Sequence, residues 1–332
     1  MSKLLTISIA AYNVEKYLEK LLDTIIESDC LEEIEVLVVN DGSKDSTLEI
    51  AEKYNKKYPQ SIFLVDKENG GHGSTINKGI EQATGKYFKV IDGDDWVDAK
   101  GLNNLIQKLK NEDSDMIVCD YQEHYEDSGQ ILDKTYPMFE AGKMCNFNEV
   151  CDKVERLVFH ALFFKTNILK DNSIKIDENC FYVDAEYVLY PIPYVKTMIY
   201  YDYNVYCYRL GNIGQSVSVE SLQRNIKQHI NVSTSLIKFY KQIDNSVDSN
   251  VKKFILNSVA CVNNKTYETL LTFPCKKSNK QRIQKFDLYI RENCAEVLEC
   301  IPTKTIRLLV KNINLYYPLL SCWVKVKKKI NR

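Results

Sequence analysis

Polar side chains collect at the ends of four apolar runs in this 332-residue sequence. The carboxylate of Asp41, after the second run, could accept hydrogen bonds from a nucleobase imide or a ribose hydroxyl. Tyr12, after the first run, offers a ring face on which a base could stack. Glycines at positions 70, 71 and 73, after the third run, allow the backbone to approach a bulky ligand closely. These residue types suit the separate parts of a nucleotide.

The fourth run ends in an acidic turn that contains Asp92, Asp94 and Asp95. Three carboxylates so close in sequence repel one another unless a cation or hydroxyl donors neutralise them, so the turn is a candidate metal or sugar site. Taken alone, an Asp-Gly-Ser turn such as the one at Asp41 is usually only a turn and a helix cap. An isolated acidic loop is likewise usually solvated. Four such loops at one edge of a sheet are much rarer by chance, which favours a functional interpretation.

The elements that must position these loops alternate between two periodicities. Short apolar runs predict strands buried on both faces, over residues 4–10, 34–40, 61–66, 86–92 and 115–119. Apolar side chains spaced three and four residues apart predict helices, over residues 14–26, 47–58, 74–83 and 102–109. This alternation predicts an α/β fold with a mostly parallel sheet flanked by helices. Ligands bind such sheets at the carboxyl ends of the strands.

The composition excludes several classes of protein. Hydrophobic residues make up 45% and charged residues 27% of the chain, which is typical of a globular protein and not of a disordered one. No apolar run approaches twenty residues, and residues 4–10 lead into polar sequence without a cleavage site. We therefore expect a buried strand there and a cytoplasmic protein. The eleven cysteines are odd in number and form no CxxC pair, which favours reduced thiols over a zinc site or disulfides.

Residues 6–120 resemble the donor half of family-2 glycosyltransferases, which have the GT-A fold. The resemblance is carried by SIAAYNVEKYL at 8–18, VNDGSKDST at 39–47, NKGI at 77–80 and IDGDD at 91–95. It implies an inverting glycosyltransferase that uses a nucleotide-sugar, with uridine favoured as the base. It also implies that Asp41 contacts the nucleoside, that Asp92 lies near the ribose, and that Asp94 binds Mn²⁺ or Mg²⁺ on the sugar diphosphate.

The resemblance extends to a set of donor-binding positions and has two departures. The expected donor-binding residues are Ala11, Tyr12, Asn13, Glu15, Asp41, Asn69, Gly70, Gly71, Asn77, Asp92, Gly93, Asp94 and Arg209. The family often has proline where Ala11 stands. It also often has arginine just before the asparagine, where this chain has Ile76, so one diphosphate or base contact is missing. Arg209 could contact diphosphate oxygens from a loop that includes residues 208–216, or that loop could be an ordinary surface loop.

On the acceptor side, residues 181–187 resemble a family motif in which Glu-Asp precedes an aromatic residue. Val183 takes the place of the glutamate, and the resemblance implies that Asp184 is the general base. A helix cap is the alternative for Asp184, and Glu186 is a second candidate base. His160 lies in an apolar stretch and is expected to be a hydrogen-bonded core residue, with an acceptor-site role as the weaker alternative.

Other functions fit less well. A sugar-phosphate nucleotidyltransferase would need a glycine-rich basic loop after the first strand, and residues 10–17 provide none. A dehydrogenase would need GxGxxG there. A non-catalytic nucleotide-sugar-binding module could keep Asp41 but would not need Asp94 and Asp184. The preferred interpretation is transfer to a hydroxyl of a glycan, or of a lipid-linked or protein-linked glycan, in cell-surface polysaccharide synthesis.

The chain is expected to divide into a catalytic domain over residues 1–219 and a helical accessory region over 220–332. The net charge is −1, but residues 301–332 carry eight basic residues and no acidic one. This distribution argues against nucleic-acid binding by the whole protein. The apolar residues near Trp323 could pack on the accessory helices, with the lysines only adding solubility. Alternatively, the basic tail could contact an anionic membrane at its inner face.

Overall fold

The computed structural model describes residues 3–211 and 218–330. The chain forms two compact units, Met1–Ile213 and Gly214–Arg332. The first contains β1 (Leu5–Ala11), α1 (Leu18–Ile26), β2 (Ile34–Asp41), α2 (Thr47–Lys57), β3 (Ile62–Lys67), α3 (His72–Gln82), β4 (Tyr87–Asp92), β5 (Trp96–Val97), α4 (Ala99–Leu109), β6 (Met116–Tyr125), β7 (Ile131–Lys134), β8 (Cys145–Asn146), α5 (Phe147–Val150), β9 (Leu162–Lys165), α6 (Thr166–Asp171), α7 (Asp184–Leu189) and β10 (Thr197–Leu210).

The strands of this unit form one ten-stranded sheet with the order β3-β2-β1-β4-β9-β6-β10-β5. β7 extends the sheet from β6, and β8 extends it from β10. β1 runs parallel to β2 and β4, and Ile7 pairs with Val36 on one side and with Lys89 on the other. β9 is antiparallel to β4 and β6. The predicted α/β class and mostly parallel sheet are confirmed, and the four parallel strands end at one edge.

The first helix is shorter than its periodicity predicts. Residues 14–17 form a turn, because their backbone is held by the loop that leads into α2. The amide of Val14 donates to Thr47 Oγ1 at 2.9 Å, and the amide of Glu15 donates to Asp45 Oδ2 at 3.1 Å. These bonds tie the loop after β1 to the loop after β2. Both loops were predicted to contribute to the site.

The last strand, β10, is one of five strands that lie outside the five predicted ones. It spans 14 residues and pairs in parallel with β6 from Met198 to Leu210. Tyrosines interrupt its apolar pattern, so no simple period marks it as a strand. Its end delivers Tyr206, Tyr208 and Arg209 to the region of the acidic turn.

Every described element of secondary structure in the second unit is a helix. It contains α8 (Val219–Arg224), α9 (Ile226–Gln242), α10 (Ser249–Leu271), α11 (Lys277–Cys294), α12 (Glu296–Glu299), α13 (Lys304–Lys311) and α14 (Ile313–Ile330). α10 is the central helix and contacts each of the other described helices of the unit. Across the described residues, no helix combines the length and the apolar composition needed to span a bilayer. The cysteines are all present as free thiols.

Candidate active site

The acidic turn at the end of β4 brings three carboxylates together. Oxygen atoms of Asp92, Asp94 and Asp95 lie within 4.8 Å of one another. The turn is tight, since the amide of Gly93 donates to Ala10 O at 2.9 Å and the amide of Asp95 to Asp92 O at 3.0 Å. Burial and the neighbouring charge of Asp92 raise the pKa of Asp94 to about 6. The ionised form of Asp94 is therefore disfavoured, first by burial and then by its acidic neighbour.

Asp95 fixes the position of this turn by hydrogen bonds to β10. Its carboxylate accepts hydrogen bonds from Tyr206 Oη at 2.5 Å and from the amide of Arg209 at 2.7 Å. Its side chain is almost completely buried, and burial raises its pKa well above the usual carboxyl range. Asp92 and Asp94 are the more exposed members of the cluster and are left to face a ligand.

Arg209 holds the back of the acidic turn. Its Nε donates to the carbonyl of Asp94 at 2.6 Å, and its Nη1 pairs with Glu126. The guanidinium also lies 4.6 Å from the ring centre of Tyr17 and 4.8 Å from that of Trp96. These contacts make Arg209 a positioning residue for Asp94. Its predicted diphosphate contact stays a prediction, and residues 212–216 of its loop lie outside the described residues.

His72 was not singled out from the sequence, yet it lies at the centre of the site. It is the first residue of α3, and its Nε2 lies 2.9 Å from Asp92 Oδ1. Burial lowers its pKa, but the carboxylates of Asp92, Asp184 and Asp94 more than offset this effect, so the pKa is raised. The signal in the sequence was a histidine within the glycine-rich loop after β3.

Asp184 belongs to the same group of charges. It is the first residue of α7, whose N-cap residue Val183 makes no side-chain capping bond. Burial raises the pKa of Asp184, Arg156 and His72 oppose that rise, and Asp92 adds to it. The predicted base and the predicted metal turn, about ninety residues apart in sequence, are thus electrostatic neighbours. Asp184 is also an acid in the first turn of α7, so the helix-cap alternative stays a prediction beside that of the base.

Glu186, the second candidate base, points elsewhere. Its side chain is completely buried, and its Oε2 accepts from the amide of Asp177 at 2.8 Å. Burial raises its pKa to about 8, so Glu186 is protonated at neutral pH. A protonated, enclosed carboxyl that holds a loop is poorly suited to accept a proton from a substrate.

That loop packs directly against the glycine-rich segment. The amide of Asn179 donates to Gly70 O at 2.6 Å. Asn77, an expected donor-binding residue, instead has its side-chain amide directed to this loop, with bonds of 2.9 Å to Ile176 O and 2.8 Å from the amide of Ile176. Position 73 requires glycine, because a Cβ there would lie 2.0 Å from Asp177 O. The loop before α7 and the glycine-rich segment after β3 are therefore joined at this point.

Asp41 is surrounded by hydrogen-bond donors of its own chain. Lys67 Nζ lies 2.6 Å from Oδ1, and the amides of Gly70 and Gly71 donate to the carboxylate at 2.9 and 2.8 Å. Asn69 Nδ2 donates to the carbonyl of Asp41 at 2.9 Å. The predicted donor residues Asn69, Gly70 and Gly71 thus form a cradle around Asp41, whose side chain is nearly inaccessible.

The loop after β1 leaves one aromatic ring free. The ring of Tyr12 is half exposed, as a stacking platform requires. Asn13, with a positive φ of 52°, accepts from the amide of Lys44 at 2.7 Å, and Glu15 accepts from the amide of Ser46 at 2.9 Å. Ala11 is buried at the end of β1. Asn13 and Glu15 therefore shape the loop that carries Tyr12.

A buried cation lies three residues before Asp92 in β4. Lys89 Nζ donates to the carbonyls of Phe159 at 2.7 Å, His160 at 2.5 Å and Leu162 at 3.3 Å. Burial lowers its pKa to about 7. Lys89 thereby fixes the segment that carries Phe159, which contacts the ring of His72 edge to face.

His160 is a core residue, but the expectation that it is hydrogen-bonded was wrong. Neither ring nitrogen has a hydrogen-bond partner among the described residues. The ring is stacked between Tyr208 and Tyr121, with centroid distances of 4.3 and 5.3 Å. Burial lowers its pKa to about 3, so it is neutral.

The acidic turn fits a divalent cation by the chemistry of its donors. Mn²⁺ and Mg²⁺ prefer carboxylate oxygens, and Asp92 and Asp94 offer these at the open side of the turn. Burial, and after it the charge of Asp92, raises the pKa of Asp94, and a bound cation would oppose both effects by favouring the ionised carboxylate. His72 adds a partial counter-charge beside Asp92.

Comparisons with known proteins agree with this geometry. The model of glycosyl transferase family 2 matches residues 6–165. The glycosyltransferase EpsH of Bacillus subtilis, described as putative, is 30% identical over 210 residues, which cover 58% of either chain. Poly(ribitol-phosphate) beta-N-acetylglucosaminyltransferase TarS of Staphylococcus aureus is 32% identical over 114 residues, or 34% of this chain and 20% of TarS. The chain therefore spans little more than half of the length of EpsH, and less of TarS.

Solved structures extend the likeness to both units. Residues 1–349 of S. aureus TarS with UDP-GlcNAc give a TM-score of 0.70 at 19% identity, covering 97% of this chain and 92% of that one. The mannosyltransferase PcManGT of Pyrobaculum calidifontis, with GDP-Man and Mn²⁺, gives 0.53 at 16% identity, covering 98% and 87%. These likenesses establish the fold. Residues 6–165 are a family-2 glycosyltransferase domain, and the fold of the chain is GT-A with a helical C-terminal region.

Proposed function

We propose that the protein is an inverting, metal-dependent glycosyltransferase that moves a sugar from a nucleotide-diphosphate donor to a hydroxyl of a glycan acceptor. One observation carries the proposal. Asp94 in the acidic turn and Asp184 at the start of α7 both act on the same histidine, His72. A group that could assist the leaving diphosphate and a group that could accept a proton therefore lie close enough to one histidine to influence its charge.

A UDP-sugar is the donor we favour. Tyr12 offers an exposed ring for a base, and the Asp41 cradle lies in the loops after the neighbouring strands β2 and β3. The structural neighbour TarS holds UDP-GlcNAc, which supports uridine, although PcManGT holds GDP-Man.

Asp94, with Asp92, would hold the divalent cation. When bound, the cation would neutralise the charge that develops on the departing nucleoside diphosphate. The chain contributes the geometry: Arg209 fixes the carbonyl of Asp94, and Asp95 is locked by Tyr206. The turn thereby reaches the donor already in place, without reorganisation.

Asp184 would accept the proton of the acceptor hydroxyl as that oxygen attacks the anomeric carbon. The bond from the anomeric carbon to the diphosphate oxygen breaks as the new bond forms, and the electron pair leaves with the nucleoside diphosphate. With one base and no covalent intermediate, the anomeric configuration inverts. Arg156 opposes the rise in the pKa of Asp184 and so helps to keep the base ionised.

We place the reaction in cell-surface polysaccharide synthesis, at the inner face of the membrane. Two relatives support an acceptor of this kind. TarS is named for poly(ribitol-phosphate), and GgaB of B. subtilis, 27% identical over 254 residues, for minor teichoic acid biosynthesis. The acceptor hydroxyl would then belong to a glycan, glycolipid or glycoprotein, which the basic tail would approach from the cytoplasm.

The test is a panel of UDP- and GDP-sugars assayed with Mn²⁺ for binding by calorimetry and for slow hydrolysis. Binding of one UDP-sugar, with release of UDP and free sugar, would support the proposal. Asp94→Asn should lose the hydrolysis, while Asp29→Asn, an exposed acid elsewhere in the unit, should retain it. Proton NMR of the first product formed reports the anomeric configuration. Absence of binding to every donor, or hydrolysis that survives in Asp94→Asn, would contradict the proposal.

A further inference from the structure

The last two helices of the second unit expose side chains in two regular stripes. On α13, the exposed residues recur three and four positions apart: Lys304, Arg307, Leu308 and Lys311. On α14, the same spacing relates the exposed residues Leu315, Pro318, Leu319 and Cys322. Residues at this spacing share one face of a helix. One face of α13 is therefore mainly basic, and one face of α14 is apolar.

The buried faces of the same helices already attach them to the unit. Ile306 and Leu309 of α13 are 0% exposed, and Tyr317 of α14 is 2% exposed. By contrast, Leu315 is 55% and Leu319 is 62% exposed. The exposed leucines thus lie on faces that the fold of the unit does not use. The expectation that the apolar residues of the tail pack on the accessory helices holds for the buried ones and does not hold for Leu315 and Leu319.

The charge around this surface selects the kind of partner. Residues 301–332 carry eight basic residues and no acidic one. A second copy of the same surface would bring like charges together, which opposes self-association. Nucleic acid would use the cations but would leave the leucines in water. An anionic lipid surface accommodates both, since cations bind headgroups and leucines enter the acyl boundary.

We propose that α13 and the described part of α14 lie on an anionic membrane surface. This deepens the membrane part of the proposed function and does not depend on the chemistry at Asp94 or Asp184. No described helix can span a bilayer, so the helices would lie in the plane of the interface. Lys325 and Lys327–Lys329, which follow in the sequence, would add to the same electrostatic attraction.

The test is co-sedimentation of the full chain with vesicles of phosphatidylcholine, with and without about 30% phosphatidylglycerol, at low and high salt. Binding should require the anionic lipid and weaken with salt. Replacing Lys304, Arg307 and Lys311 by glutamine should lower the partition coefficient roughly 100-fold, from about 1 kcal/mol for each cation. The matched control replaces three exposed lysines of the first unit, Lys56, Lys57 and Lys100.

The apolar stripe is tested separately. Leu315→Asn with Leu319→Asn should lower binding at least about tenfold, because apolar area no longer enters the boundary. Ile131→Asn with Met144→Asn changes two similarly exposed residues of the first unit, at 54% and 47%, and should have no effect. Circular dichroism checks that each variant is folded, and donor binding by calorimetry reports on the chemistry independently of the vesicles.

Three results would overturn the proposal. Equal binding to neutral and anionic vesicles would remove the electrostatic role. Equal losses in test and control variants would indicate general adsorption of a charged protein. Concentration-dependent dimerisation that Leu315→Asn with Leu319→Asn abolishes, without vesicle binding, would assign the surface to a second copy. Membrane binding combined with failure to bind any nucleotide-sugar would leave this inference intact and refute only the proposed activity.

Discussion

Replacing Asp184 with asparagine separates chemistry from structure at this site. The change keeps the shape of the side chain and removes the basic oxygen. If Asp184 takes the acceptor proton, turnover should fall by roughly 10²–10⁴, the usual contribution of a general base. That range corresponds to about 3–5 kcal/mol of transition-state stabilisation. Donor affinity should change little, because the substitution leaves Asp94 and the Asp41 cradle untouched.

The structure also fixes the expected effect on stability. Burial raises the pKa of Asp184, so its ionised form is less favourable in the fold than in the unfolded chain. Stability is therefore lost as the pH rises from the ordinary carboxyl pKa to the raised pKa of Asp184. The Asp184→Asn substitution removes that loss. The substitution costs at most the interaction of one charge with the start of α7, about 0.3–1 kcal/mol. The free energy of unfolding at neutral pH should stay within about 1 kcal/mol of the parent.

Glu186→Gln provides the matched control on the same helix. Glu186 has a pKa of about 8 and is already protonated at neutral pH, so glutamine reproduces its charge state. Its turnover should stay within about threefold of the parent. The assay is steady-state release of UDP with saturating donor and varied acceptor, over a range of pH. The parent should lose activity at low pH as Asp184 protonates, from a higher pH than an ordinary carboxyl would give.

Two results would refute the assignment of Asp184. If Asp184→Asn weakened donor binding while turnover at saturating donor was kept, Asp184 would be a donor residue. If Glu186→Gln abolished turnover and Asp184→Asn did not, the base would be Glu186.

Three further predictions follow from other contacts of the site. Asp94→Asn or excess EDTA should lower transfer at least about a hundredfold with the melting temperature kept, and full activity in EDTA would contradict the metal. Gly73→Ala places a Cβ 2.0 Å from Asp177 O, so the free energy of unfolding, measured with denaturant, should fall by more than about 2 kcal/mol and transfer should fall with it. The control Gly129→Ala, in open space at φ 68°, should lower the free energy of unfolding by only about 1 kcal/mol. Burial lowers the pKa of Lys89 from 10.5 to about 7, so above neutral pH the unfolded chain binds more protons than the folded one. The free energy of unfolding should therefore rise with pH above about 7. Urea titrations of Lys89→Met should lack this rise.

The sequence predicts where the loops after β1 to β4 lie, because their positions follow from local rules. Parallel strands with helical crossovers end at one edge, so the position of each strand end also locates its loop. Asp41, Tyr12 and the acidic turn were found in this way. The pattern at each strand end is set by a few adjacent residues, which the sequence displays directly.

The contacts between the loops do not follow from local rules. His72 meets Asp92 only because α3 starts beside the end of β4, which the strands β2 and β1 separate from β3 in the sheet. Asp184 and Glu186 lie two residues apart on one helix, and only the packing around them separates a site acid from an enclosed one. The sequence also cannot show that Asn77 and Arg209 are engaged by the protein itself, since their partners are distant in the chain.

The cradle around Asp41 bears on how fast a donor can bind. Its carboxylate already accepts from Lys67, two amides and the hydroxyl of Ser74. A nucleoside that hydrogen-bonded to this carboxylate would have to displace one of these donors. Lys67 is the donor with a long, flexible side chain. The association rate would then be set by the opening of the Lys67 contact and not by diffusion. Because this ion pair is largely buried, salt screens it little, so added salt would weaken the attraction of an anionic donor to the protein without speeding the opening of the contact.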